Sequence, residues 1–222
     1  MPQRLPTHRE DMKRPRSLHP GRPSLLTRRA FLASASAGAA LSIAAPAIAD
    51  AAASPDTARL LARARAALGR LGTTIPNHDI VAVTDYSAVS KTPRFHLLDM
   101  AGGTVTSLLV SHGRGSDPGN SGWVKAFSND FGSNASSEGA FKTAELYSGK
   151  HGRSMRLDGL DPGNSNARGR AIVIHSAWYV NPVMAAGGRI GRSEGCFAFS
   201  DIDLPKVLGR MGPGRLLLST KL

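Results

Sequence analysis

The sequence predicts a mainly β domain, a mixed β-sandwich or barrel-like fold with short peripheral helices. Three observations carry this expectation. Beyond Pro76 helical spacing gives way to short runs of β-branched and aromatic residues, and Gly, Ser and Asn gather between those runs as turn material. One run, RAIVIHSA at 170–177, is apolar with no alternation, as in a central strand buried on both faces.

Residues 54–71 read as one helix. Ser54 suits an N-cap, Pro55 the first helical position, and Gly69 or Gly72 the end. Leu60, Leu61, Ala64, Leu68 and Leu71 recur at helical spacing and form a packing stripe. Strand-like runs follow at 80–86 (IVAVTDY), 94–100 (RFHLLDM) and 104–111 (TVTSLLVS), with Gly102-Gly103 as the hairpin turn between the last two. A second hairpin is expected from 139–147 and 152–160, turning around Gly149-Lys150-His151-Gly152. Residues 200–212 open on a cap residue and end in glycine as a short helix does, and RLLLST at 215–220 closes the chain as a strand. There is no internal repeat. The polar stretch 112–138 exceeds ordinary loop length and is a candidate functional loop.

Upstream of the domain, residues 1–49 read as an export address. Thr27-Arg28-Arg29-Ala30-Phe31-Leu32, an uncharged Ala/Leu/Ser stretch and Ala47-Ile48-Ala49 before Asp50 resemble a twin-arginine signal peptide with its cleavage site. MKRPR from Met12 offers a second acceptable start. The Ala/Ser content makes a poor bilayer span, so no stable membrane anchor is expected after cleavage. The expected organisation is a signal at 1–49, an N-terminal helix and linker at 50–77, and a catalytic domain at 78–222. The chain carries a formal charge of +12, and the first 49 residues, with eight Lys/Arg and two Asp/Glu, supply half of it. The remaining charge is dispersed, without the basic blocks or basic–aromatic interleaving of a nucleic-acid binder.

Cys196 is the single cysteine of a chain read as exported, so it has no internal disulfide partner and stands exposed to oxidation. It lies in GRSEGCFAF (191–199), behind Gly195, while His175 ends the apolar run 21 positions upstream. A thiol becomes a nucleophile when an imidazole takes its proton and backbone amides await the oxyanion. Gly195 permits such a turn, Arg189 and Arg192 suit a thiolate or a substrate carboxylate, and His175 is carried on a rigid strand. From the residues alone, a catalytic pair and a buried small hydrophobe beside an unrelated core histidine are equally open. His112, with Arg114 in SHGRGSD, fits either a substrate-binding wall or a turn cap. Trp178 and Tyr179 fit a pocket wall, with core packing the ordinary alternative for the tryptophan. Ser128-Asn129 and Asn164-Asn166 are suited to satisfying loop backbones. The histidines show no metal-ligand spacing, so no metal site is expected.

The pattern IHSAWY followed by GRSEGC resembles the L,D-transpeptidase catalytic domain, a family of murein cross-linking cysteine enzymes. The resemblance maps onto His175, Ser176, Ser193, Gly195 and Cys196, and extends through LLVSHGRGSD (108–117), SSEGAFKTAELYSGKHG (136–152) and GLDPGNSNARGRAIVIH (159–175). It covers about residues 78–220. Two positions depart from many family members: Glu194 stands where a histidine precedes Gly-Cys, and Ala198 where Asn or Arg follows the cysteine.

The resemblance implies ping-pong acyl transfer on peptidoglycan stem peptides, in the periplasm or at the cell wall, with no cofactor. Cys196 would attack the carbonyl of the third stem residue and expel D-alanine. His175 would move the proton, the Ser176 main-chain carbonyl would hold the imidazole tautomer, and the Gly195 and Cys196 amides would form the oxyanion hole. His112, Arg114, Trp178, Arg189, Arg192, Ser193 and Glu194 are the expected substrate-side residues. Two alternatives share the sequence: a hydrolase using water as acceptor, acting as carboxypeptidase or endopeptidase, and a non-catalytic murein-binding module.

Overall fold

The computed structural model describes residues 55–222; the export segment and Ser54 lie outside the described residues. In chain order come helix α1 (Pro55–Leu71), strands β1 (Ile80–Asp85), β2 (Phe95–Asp99), β3 (Val105–Leu108), β4 (Gly139–Gly149), β5 (Gly152–Gly159) and β6 (Val173–Ser176), helix α2 (Pro182–Ala186), β7 (Phe197–Phe199), α3 (Leu204–Met211) and β8 (Leu216–Thr220). Single 3-10 turns sit at Gly72–Thr74 and Arg114–Ser116. Among these, no helix is long and apolar enough to cross a membrane.

All eight strands form one mixed sheet in the order β3-β2-β1-β8-β4-β5-β6-β7. The parallel pairs are β1 with β8 and β6 with β7. The sheet curls. β4 takes an extra residue between Thr143 and Leu146, a bulge that bends and twists a strand. Phe95 of β2 and Phe199 of β7, with five strands between them in the sheet, meet edge-to-face at 4.7 Å between ring centroids. The curl is closed by the segment after β3. The Ser111 N–H donates to the Ala198 carbonyl at 3.0 Å, and Gly113 bridges Ser193 in parallel. The barrel-like expectation thus takes physical form as a sheet rolled onto its own edge.

Alternation along the strands sorts two apolar layers. Ile80, Ala82, Phe95, Leu97, Phe141 and Leu217 point inward, where α3 adds Leu204, Val207, Leu208 and Met211. Val81, Val83, Leu98, Ala140, Leu216 and Leu218 point outward and are covered by Leu60, Leu61, Ala64, Ala67 and Leu68 of α1. With both faces covered, β1 opens on four consecutive apolar residues (80–83) and β8 on three (216–218), the sequence signature of a strand buried on two sides. α1 is therefore part of the domain's packing rather than a helix on a linker. The run at 170–177 contributes only four strand residues, because 161–171 is a series of turns.

Candidate active site

The site is built on the outer face of β6 and β7, next to a small apolar cluster of Ala177, Val180, Ile190 and Ala198. Register sets the geometry. Ile174 pairs with Phe197 and His175 with Ala198. Side chains alternate along a strand, so Ile174 and Phe197 enter the core while His175 and Ala198 share the outer face. Cys196 lies two residues before Ala198, immediately ahead of β7. Parallel pairing across a 20-residue connection (177–196) thus sets the strand that carries His175 beside the strand that follows Cys196.

Each group is held by local bonds. His175 is buried, and its Nδ1 lies 2.7 Å from the Ser176 carbonyl. A carbonyl only accepts, so Nδ1 carries the proton and Nε2 keeps its lone pair. Burial pushes the His175 pKa down, the Ser176 carbonyl opposes this, and the charges of His151 and Lys150 add to the lowering. The half-buried Cys196 thiol rests against the Ala171 carbonyl at 3.5 Å. Burial pushes the thiol pKa up. The Val173 backbone N–H lowers it, the Glu194 carboxylate raises it, and Lys150 and Arg170 lower it.

The turn carrying the thiol is tightly constructed. Gly195 has φ +115°, and a Cβ there would stand 2.7 Å from both the Ala135 carbonyl oxygen and Ile172 Cδ1, so only glycine fits. Ser193, buried, donates from Oγ to the Cys196 carbonyl at 2.7 Å and accepts the Gly195 N–H at 3.2 Å. This differs from the expectation of two free oxyanion amides: the Gly195 N–H is directed to Ser193. The Ser193 main chain is in turn held between the His112 carbonyl at 2.9 Å and the Arg114 N–H at 2.8 Å.

His112 is not on a cleft wall. It is wholly buried between Arg94 and Asp117. Arg94 Nη2 stands 2.7 Å from Nδ1, and Nε2 faces Asp117 Oδ2 at 3.3 Å. A guanidinium only donates, so Nδ1 accepts and the Nε2–H points to the carboxylate. Burial and the Arg94 charge hold the His112 pKa at about 4, against the pull of Asp117. Asp117 is itself bound by the Ser121 and Gly122 backbone N–H groups and the Ser121 hydroxyl, each at 2.8 Å. Burial would raise its pKa, but these bonds bring it to about 2. The network anchors the 112–122 loop, which holds the Ser193 turn.

The other expected substrate-side residues are dispersed. Arg114 and Glu194 form an exposed ion pair at 2.9 Å. Arg192 donates to the Asp117 carbonyl, bracing the same loop. Arg189 is exposed and lines a shallow cavity of about 330 Å³ with Asn120, Met184 and Ile190. Trp178 is 78% exposed and meets Tyr179 edge-to-face, so core packing does not hold for it. Burial first, and then the Glu194 carboxylate and the thiolate that Cys196 becomes at high pH, hold the Tyr179 phenol up at about 12, so it stays protonated. Asn129, Asn164 and Asn166 staple loops: Asn129 donates to the Pro162 carbonyl at 2.9 Å and Asn164 to the Ala140 carbonyl at 2.8 Å. Asn166 donates to the Asn129 carbonyl at 3.0 Å.

Two site residues carry no sequence signal of their role. Arg170 donates to the carbonyls of Ser128 (2.8 Å) and Ala135 (2.7 Å) and to the hydroxyls of Ser137 and Ser133, fastening the 128–137 loop beneath Gly195. His151, at the tip of the β4–β5 hairpin, stacks on His175 with ring centroids 4.3 Å apart.

Residues 56–219 match the L,D-transpeptidase catalytic domain family. No curated protein matches the chain. Solved structures that resemble it include an L,D-transpeptidase from Mycobacterium smegmatis (14% identity, TM-score 0.38, 64% of this chain and 58% of that chain covered). Another is an L,D-transpeptidase from Mycobacterium tuberculosis H37Rv (15%, TM-score 0.40, 64% and 57%). A third is L,D-transpeptidase 3 from Mycobacterium tuberculosis in complex with a faropenem-derived adduct (13%, TM-score 0.40, 64% and 60%). The chain thus spans under two thirds of the length of these three, and the family assignment rests on the match over 56–219. The chain belongs to the L,D-transpeptidase catalytic domain family.

Proposed function

We propose that this protein is a murein L,D-transpeptidase whose nucleophile is Cys196 and whose base is His175. One observation supports the reading: the parallel β6–β7 register sets His175 against Ala198, two residues beyond Cys196, with Nδ1 tied to the Ser176 carbonyl at 2.7 Å and Nε2 left as acceptor. The imidazole pKa is lowered and the thiol pKa raised, so the resting pair is neutral on both sides. The thiol proton therefore passes to Nε2 as sulfur attacks, rather than being lost beforehand.

In the proposed reaction, Cys196 Sγ turns from the Ala171 carbonyl and bonds to the carbonyl carbon of the third stem residue. The C–N bond to the terminal D-alanine breaks, and the proton on Nε2 goes to the leaving amine. An acceptor amine then attacks the thioester, and the thiol is regenerated. The Cys196 N–H is the first donor to the oxyanion. The Gly195 N–H joins by giving up its long bond to Ser193. His175, Cys196, the Ser176 carbonyl and the Gly195 turn form this machinery, and Ser193 shapes it. Arg114 and Glu194, exposed beside the turn, are the residues best placed to meet a charged stem peptide; Arg189 and Trp178 flank it farther along the connection. Export to the periplasm or cell wall, with murein as partner, belongs to the same proposal.

The test is product analysis with a purified tetrapeptide stem. Cross-linked dimer together with free D-alanine is the expected result. Tripeptide and D-alanine alone would make the protein a hydrolase, and unchanged tetrapeptide would contradict the reading.

A further inference from the structure

The β4–β5 hairpin ends in a two-residue turn, Lys150-His151, between paired Gly149 and Gly152. β5 also pairs with β6, with Met155 opposite Ile174. Continuing that register sets Ser154 opposite His175 and carries the turn past the end of β6, from where His151 reaches back to His175. The His151 ring lies on the His175 ring with centroids 4.3 Å apart and planes 24° from parallel. His175 is only 3% exposed although it belongs to a surface site, while His151 is itself exposed. An exposed side chain ordinarily samples several rotamers, so this stack is an interaction at one specific place.

We infer that His151 is a positioning residue for the Cys196–His175 pair, its ring clamping the His175 imidazole in the plane that offers Nε2 to the thiol. The inference rests on the proposed roles of Cys196 and His175. The Ser176 carbonyl fixes one edge of the imidazole but leaves the ring free to pivot about that single bond; a second ring lying on its face removes this freedom. The same turn brings charge to the pair. His151 and Lys150 are the charged groups acting on His175, while Glu194, Lys150 and Arg170 act on Cys196. A proton on His151 opposes one on His175, so the stack favours the neutral base as well as its orientation.

The test is the second-order rate of Cys196 acylation by a carbapenem, followed by intact mass from pH 5 to 9, for the wild type, His151→Ala and His151→Phe. His151→Ala is expected to slow acylation roughly 10- to 100-fold at pH 7, the scale of a misplaced reacting group, with an unchanged thermal midpoint. His151→Phe keeps a ring on the imidazole and is expected to recover most of the rate. Its acid limb is expected at higher pH than that of the wild type, because the opposing charge is gone. A wild-type rate and acid limb in His151→Ala would overturn the inference, as would equal losses in both variants. A wild type that takes up no carbapenem would instead overturn the underlying assignment of Cys196.

Discussion

Ser193 Oγ donates to the Cys196 carbonyl across 2.7 Å and receives the Gly195 N–H at 3.2 Å, closing the turn that presents the thiol. One hydroxyl thus does two jobs that a methyl cannot do. Ser193→Ala is expected to cost roughly 1–3 kcal/mol, since it leaves a buried amide and a part-buried carbonyl without their partner, and to slow acylation as the turn loosens. Ser193→Thr keeps the hydroxyl and is expected to recover the rate. Denaturant unfolding and carbapenem acylation of both variants check this pair of outcomes.

Glu194 forms an exposed ion pair with Arg114, and its charge raises the thiol pKa. Exposed pairs contribute at most about 1 kcal/mol. Glu194→Gln is therefore expected to change stability little while lowering the thiol pKa, so that iodoacetamide alkylates Cys196 faster at a given neutral pH. A pH series of alkylation rates measures the shift, and a midpoint that moves upward would contradict it.

The Arg94–His112–Asp117 network predicts acid sensitivity. His112 titrates at about 4 in the folded protein and at about 6.5 when unfolded. Between those values the unfolded chain binds a proton that the folded protein refuses, so stability falls as pH drops from about 6.5 toward 4. The loss is on the order of 3 kcal/mol from this group. Denaturant midpoints at a series of pH values measure it. His112→Gln, which cannot titrate there, is expected to flatten the dependence even if it lowers stability at neutral pH. Arg94→Met leaves a buried carboxylate and imidazole without their cation and is expected to cost about 3–5 kcal/mol.

Most of the strands and α1 were legible because their apolar pattern follows their burial. β1 and β8 are apolar on both faces, and α1 shows one stripe, so local pattern reports tertiary position directly. β7 was not legible: Phe197–Phe199 is too short to show alternation, and it sits against the cysteine motif. Cys196, His175 and the Ser176 carbonyl could be proposed from motif and spacing. The place of His112 could not, because its burial comes from Arg94, 18 positions away, and SHGRGSD looks like any exposed polar turn. For Trp178 the sequence left a pocket wall and core packing open, and the β6–α2 connection carries the ring outward, which removes the second. His151 and Arg170 reach the site through hairpin and loop geometry, which no residue pattern encodes.

The most direct test of the central claim is the mass of the acyl-enzyme. Wild-type protein incubated with a tetrapeptide stem or a carbapenem is expected to gain one adduct, mapped by peptide digestion to Cys196. Cys196→Ala is expected to remain folded, to gain none and to release no D-alanine. An adduct on another residue, or cross-linking retained in Cys196→Ala, would contradict the assignment of Cys196 as the nucleophile.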